Sequence, residues 1–336
     1  MREVAERAGV SISTVSHVVN DKQGARIGAQ ARERVLAAVE ELGYRQNLMA
    51  KNLVEGTSHF IGLVADSIAS TPFAGQIVRG AQEEAWRHGR VLLVANTEGD
   101  PEAERDAVAM MLEHKVRGIL YSKWHHRATD IPAGLNETDH VLVNCYAPAT
   151  SSRAIVPDEE EGGLSATTML LEQGHERIAF INTTSPSPAR NGRLTGYQQA
   201  LRAARAPFDP GLVFDAQPDQ EGGYAIADQV LESGATAAFC HNDRMAMGVY
   251  DALRERGMRI PEDLSVVGFD NQEVIAGHLR PPLSTVALPH YEMGAAGVRV
   301  LLGDQALEPS SFLRIACPPI LRDSIAPSAS SLTHHD

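Results

Sequence analysis

The sequence predicts a small all-α domain followed by an α/β core of two Rossmann-like subdomains, and three observations lead there. Apolar residues in the first 42 positions fall at helical spacing. From residue 60 to 145, short continuous apolar runs alternate with amphipathic stretches. From residue 177 to 270 the same alternation begins afresh. Two such series point to two parallel sheets, each covered by helices on both faces.

In the N-terminal part, Val4, Ala8, Val10, Val15 and Val18 stand where two short crossed helices bury them together. Ala5 is small where the helices approach, and Gly9 sits where the chain turns sharply. Ser11 follows the turn and is expected to cap the second helix through its hydroxyl. A third amphipathic helix is expected from Arg32 to Leu42, ending at Gly43. Ile12, Ser13, Ser16 and His17 are left on the outer side of the second helix, the side that faces base edges when such a helix enters a major groove. Two helices around Gly9 with a third behind them read as a helix-turn-helix rather than a generic helical hairpin.

In the body, strands are expected at 61–65, 90–96, 116–122 and 140–145, with helices near 73–88 and 101–114. The second series has strands at 177–183, 212–216, 237–242 and 264–270, with helices near 161–173, 192–205, 222–233 and 243–257. A ligand of such a fold is held between the carboxyl ends of the strands. Polar residues at those ends are the binding candidates: Asn144, Asn242, Asp243 and Asp270. Trp124 follows the strand at 116–122 and offers an apolar face for a sugar ring or a base. Asp243 has a second reading as the cap of the next helix, and Trp124 as a core or surface-loop residue.

The chain has 336 residues, 43% hydrophobic and 22% charged, ordinary values for a soluble globular protein. Its net charge of −13 is unevenly divided. Residues 1–55 carry eight Lys/Arg against seven Asp/Glu, which leaves 22 against 36 for the rest. The acidity therefore belongs to the body, and the N-terminal domain binds phosphates only through a few cations facing one way. MREVAERAGV lacks the apolar stretch of a secretory leader, no run suggests a membrane span, and Cys145, Cys240 and Cys317 are spaced as isolated core thiols. A cytoplasmic location is the expectation.

The segments VAERAGVSISTVSHVVN, RERVLAAVEELGY and QNLMAKNL resemble the LacI/GalR family of bacterial transcription factors. The likeness continues through GHERIAFI (174–181), GRLTGY (192–197), NDRMAMG (242–248), IPEDLSVVGFDN (260–271) and PPLSTV (281–286). It implies a helix-turn-helix domain at 1–45, a hinge helix at 46–57 and a periplasmic-binding-protein-like core at 58–327, with a tail at 328–336. Within the core it implies one subdomain of about 58–156 and 286–313, and another of about 157–285 and 314–327. DNA contacts are implied for Ile12, Ser13, Thr14, Ser16, His17, Asn20, Asn47, Ala50 and Lys51, and for Leu53 as an apolar wedge in the minor groove. Effector contacts are implied for Arg193 and Asp270, with Phe73 stacking on the ligand. The residues themselves read differently at 158–161: Asp158, Glu159, Glu160 and Glu161 before two glycines are acids at a helix N-terminus, with Asp158 also a candidate to face the cleft. For Arg193 and Asp270 a structural ion pair between the lobes is the alternative, and for Phe73 a place in the core. The partners expected are a pseudo-palindromic operator, a second copy of the chain and a small effector, a sugar first and a nucleoside or purine second. Dimer contacts are expected near 70–88 and 290–302.

Three departures from the family pattern stand out. His17 replaces the usual arginine, two extra residues lie between Asn20 and Arg32, and the first helix starts without a Ser/Thr cap. No cofactor, metal or catalysis is expected. GxGxxG, GxxxxGK[ST], HExxH and GxSxG are missing, and the adjacent His125 and His126 have no third ligand at metal spacing. A transporter's solute-binding protein and a doubly wound enzyme are the competing classes. Deleting residues 1–55 separates them from a regulator, which then loses DNA binding and keeps ligand binding.

Overall fold

Seven small apolar side chains, Val4, Ala5, Ala8, Val15, Val18, Val35 and Ala38, hold the N-terminal unit together. The computed structural model describes residues 1–19, 27–44, 58–68 and 75–328. It divides into two units, Met1–Ser58 and His59–Asp336. In the first, α1 (Arg2–Ala8), α2 (Ile12–Val19) and α3 (Ala29–Glu41) pack around that core. Gly9 makes the turn with φ 62°, a conformation that costs a Cβ-bearing residue energy. Ser11 Oγ then accepts from Thr14 N–H at 3.1 Å, capping α2 as the sequence suggests. Arg34 Nε donates to the Ala8 carbonyl at 3.0 Å, satisfying one of the acceptors that the end of α1 leaves open. α3 starts three residues ahead of the expected Arg32, because Ala29, Gln30 and Ala31 are all compatible with helix and Gly28 takes the N-cap position.

The second unit contains two six-stranded sheets. The first comprises β1 (Phe60–Ala65), β2 (Val91–Asn96), β3 (Ile119–Ala128), β4 (His140–Tyr146), β5 (Arg153–Pro157) and β11 (Phe312–Ile315). Its order is β11-β5-β4-β3-β1-β2 and every pairing is parallel. The second comprises β6 (Ile178–Thr183), β7 (Val213–Ala216), β8 (Ala237–Cys240), β9 (Ser265–Asp270), β10 (Ser284–Ala287) and β12 (Pro319–Ile320). Its order is β12-β10-β9-β8-β6-β7, parallel except for the β10–β12 pair. Helices α4 (Gly75–Arg87), α5 (Pro101–Glu113) and α10 (His290–Leu302) serve the first sheet. Helices α6 (Glu159–Leu171), α7 (Pro188–Ala203), α8 (Gln220–Glu232) and α9 (Asp243–Glu255) serve the second. β6 is buried along its whole length, as a strand covered on both faces requires.

The chain passes between the lobes three times: after β5, between β10 and α10, and between β11 and β12. β10 stays with the second sheet to Ala287 and β11 with the first to Ile315, so these two crossings lie slightly beyond the 286 and 314 expected. The strands at 153–157, 284–287, 312–315 and 319–320 were not anticipated, being short and outside the strand–helix alternation. α4 and α10 lie unusually close. A Cβ on Gly80 would stand 1.9 Å from the Tyr291 carbonyl oxygen, so only glycine permits this approach.

Candidate ligand cleft and DNA-reading helix

β3 was expected to end at Ser122 but runs on to Ala128, and the extension builds one wall of a cleft. Its register against β4 holds through Ser122↔Val143, then resumes at Arg127↔Cys145. Four residues, 123–126, therefore oppose the single Asn144, which takes φ 59°. This large bulge throws Trp124, His125 and His126 out of the sheet toward the second lobe. The Trp124 N–H donates to the buried Asp66 carboxylate at 2.9 Å, and Asn144 Nδ2 donates to the Lys123 carbonyl at 3.0 Å. Both bonds fix the bulge.

The opposite wall comes from the ends of β6, β8 and β9 and from α7 and α9, which follow the first two. Between the walls lies a cavity of about 290 Å³, the size of a small-solute site. Arg193, on α7 and 3% exposed, is held from all sides. Its Nε donates to Glu159 Oε2 at 2.8 Å, and Nη1 donates to the His241 carbonyl. Nη2 stands 3.8 Å from Asp270 Oδ1, and the guanidinium lies 3.6 Å over the Phe269 ring. Arg193, Glu159 and Asp270 all belong to the second lobe, so their pairing does not tie the two lobes together. Contacts between the lobes include His126 Nδ1 with Glu159 Oε1 at 3.3 Å and Gln76 Nε2, which donates to Glu273 Oε1 at 3.0 Å.

Burial dominates the electrostatics. It pushes Asp270 up to about 6, against the pull of Arg193 and Gln272. It pushes Asp243 well above the usual carboxylate range, reinforced by the nearby Asp270 charge. Glu159 is the exception. Burial pushes it up, but Arg193 and His126 together outweigh that and hold it below its ordinary value. His125 falls to about 4 through burial and the neighbouring cations, and His241 falls well below its usual range for the same reasons. Both rings are uncharged at neutral pH.

Trp124, Asn144, Arg193, Asn242 and Asp270 all line the cavity. Asn242, however, spends its amide inside the protein: Oδ1 accepts from Met245 N–H at 2.8 Å as the cap of α9, and Nδ2 donates to the Pro218 carbonyl at 3.0 Å. The cap proposed for Asp243 thus belongs to Asn242. Asp243 instead accepts from the Gln272 N–H at 2.7 Å and the Thr285 hydroxyl at 2.6 Å. Asp158 takes the first of its two readings, an acid at a helix N-terminus. It caps α6 by accepting from Glu161 N–H at 3.1 Å, and it lines an adjoining cavity rather than the cleft. A carboxylate at a helix N-terminus is drawn to the unpaired amides there. Phe73 lies outside the described residues.

Sequence reasoning missed His125, His126, Glu159, His241 and Arg244 as cavity residues. Arg244 had a signal, because it lies within the NDRM turn already singled out. His241 had one too, standing at the end of the strand expected at 237–242; the others had none, since their roles depend on the bulge and on contacts between distant segments.

In the N-terminal unit, Ile12 is 48% exposed and Ser13 is exposed, while Thr14, Ser16 and His17 are half-buried along the same helix. Asn20, Asn47, Ala50, Lys51 and Leu53 lie outside the described residues. Among the described residues no helix is long and apolar enough to cross a membrane, and no group of three His, Cys, Asp or Glu is placed to hold a metal ion.

A helix-turn-helix unit joined to a two-lobed cleft of this build defines a DNA-binding regulator with a small-molecule site. Residues 1–47 match the lacI family of bacterial regulatory proteins, and residues 167–325 match the periplasmic binding protein-like domain. The HTH-type transcriptional repressor PurR of Vibrio atlanticus (strain LGP32) is 34% identical over 314 residues, covering 90% of each chain. The lac repressor dimer bound to operator and the anti-inducer ONPF superposes with a TM-score of 0.77 at 28% identity, over 96% of this chain and 98% of that one. The transcriptional regulator CelR in complex with cellobiose gives 0.65 at 28% identity, with the same coverage. The chain belongs to the LacI family of ligand-responsive transcriptional regulators.

Proposed function

We propose that this protein is a repressor that binds a pseudo-palindromic operator as a homodimer and is controlled by a sugar or sugar-derived effector in the interlobe cleft. The observation that carries the effector reading is the convergence of Arg193, Asp270 and Trp124 on one cavity of about 290 Å³ between the lobes. A carboxylate and a guanidinium beside an aromatic face suit vicinal hydroxyls on a small ring. The CelR complex with cellobiose supports this class. A nucleoside or purine is the second reading, favoured by the two uncharged imidazoles, which match the edge of a base as well as they match hydroxyls.

In this mechanism the ligand touches both lobes and so favours one lobe separation over another. That separation sets the spacing of the two copies of segment 46–57 in the dimer, and through it the affinity for operator. The coupling is reciprocal: operator shifts effector affinity by the same factor. No catalytic step is assigned. The test selects operator sequences from a random DNA library, then measures binding by fluorescence anisotropy with and without sugars and nucleosides. Affinity that stays flat across the panel overturns ligand control, and failure to enrich a two-fold symmetric sequence overturns the dimeric reading.

A further inference from the structure

Three residues that line the cleft each carry a buried nitrogen without a hydrogen bond of its own. Nδ1 of His241, Nε of Arg244 and Nδ1 of His125 have no partner among the described residues. All three residues line the cavity. His241 is only 7% exposed, and its carbonyl is already taken by Arg193. Folded proteins seldom strand buried polar atoms, because each gives up water without recompense. A functional site is where such an exception is expected. Asn242, by contrast, has its amide engaged within the protein, and Arg193 has its Nε and Nη1 engaged there.

Charge narrows the class of ligand. Arg193 is answered by Glu159 at 2.8 Å and Asp270 at 3.8 Å. Arg244 acts on that same Asp270. The cavity thus holds two guanidiniums against two carboxylates, and no cationic charge is left over to meet an incoming anion. Phosphate or carboxylate groups would also face Glu159 and Asp270 across a desolvated space, where like charges repel strongly.

We propose that His241, Arg244 and His125 determine the specificity of the cleft, and that they select an uncharged ring-shaped ligand over its phosphorylated or carboxylated counterparts. The proposal rests on the cleft being the effector site. His125 belongs to the first lobe and His241 and Arg244 to the second, so a ligand that contacts all three side chains bridges the lobes. Each uncharged imidazole supplies one donor and one acceptor, and hydroxyls or base edges can complement both.

The test uses the full chain carrying Trp86→Phe. Trp86 is 62% exposed and outside the cleft, and its removal leaves Trp124 as the single tryptophan reporting on cleft occupancy. The probes are D-ribose, cellobiose and adenosine, set against ribose 5-phosphate, D-glucuronate and adenosine 5′-monophosphate. At least one uncharged probe is expected to change Trp124 fluorescence and to bind tenfold or more tightly than the charged compounds. His241→Leu is expected to weaken that binding at least tenfold while the ligand-free Tm stays level or rises, since it removes an orphaned polar atom. His241→Asn, which keeps an amide near the Nδ1 position, is expected to recover most of the affinity, and Arg244→Met gives an independent loss. Charged counterparts that bind as tightly, or His241→Leu and Arg244→Met proteins that bind within twofold of the parent, overturn the proposal and leave the effector cleft standing. Probes that raise Tm without changing Trp124 fluorescence overturn the effector cleft itself. Silence from every probe overturns the uncharged-ring class.

Discussion

Asp270→Asn should make the ligand-free protein more stable. The carboxylate is buried at the end of β9, and its pKa rises from 3.8 to about 6, chiefly because burial penalises its charge. A rise of that size corresponds to about 3 kcal/mol of cost when the group is ionised. The sign follows from proton linkage. A carboxyl whose folded value is raised binds more protons folded than unfolded, so its cost grows as pH climbs from about 4 to 6 and stays constant above that. Asparagine removes the charge, keeps the shape and still accepts a hydrogen bond from Gln272 Nε2, which lies 2.9 Å from the carboxylate. Asparagine and aspartate are both enriched at positive φ, so the φ of 105° found here adds little to the cost of the exchange. Urea unfolding at pH 7.5 should therefore show a gain of about 1 to 3 kcal/mol, the lower figure allowing for imperfect solvation of the amide. The electrostatic part of the gain should shrink below pH 6 and vanish near pH 3. Equal or lower stability at pH 7.5, or a gain that ignores pH, would refute the reasoning. On the proposal that this charge serves effector binding, effector response should fall in the same variant.

Glu159→Gln should act in the opposite direction, costing about 3 kcal/mol at pH 7 by leaving Arg193 without its nearest countercharge. Because Glu159 is held below its ordinary value, the difference from the parent should fade as pH drops through that lowered value, which chemical unfolding across pH would reveal. Gly248→Ala should destabilise the second lobe by about 1 to 3 kcal/mol, because the new methyl would stand 1.9 Å from the Gln220 carbonyl oxygen and force α8 and α9 apart; a Tm unchanged by the substitution would contradict this. Ser11→Ala should cost the N-terminal unit about 1 kcal/mol, seen as about fivefold faster amide exchange in α2. His17→Arg should change the bases enriched by selection from random DNA, since arginine presents a fork suited to guanine that imidazole lacks.

Much of this fold was legible before any coordinates. Apolar runs buried on both faces mark parallel strands whatever surrounds them, so the eight strands read from composition all appear, as do the helices between them. Gly9 and Ser11 act within their own turn, and their roles could be read locally. The lobe-crossing strands could not be read in this way. β10, β11 and β12 are two to four residues long, and partners from distant parts of the chain define them.

The cleft divides along the same line. Sequence alone brought Trp124, Arg193 and Asp270 forward, through their positions next to strand ends and their likeness to family motifs. It also promoted Asn242 and left Asp158 with two readings, because it cannot tell whether a polar side chain faces a ligand or caps its own helix. Only the tertiary structure decides that. It alone shows the bulge that swings 123–126 toward the second lobe, the burial that keeps His125 and His241 uncharged, and Glu159 beside Arg193. The physical reason is range. Propensity, capping and periodicity act over a few residues, whereas desolvation and charge pairing depend on which distant segments the packed fold brings together.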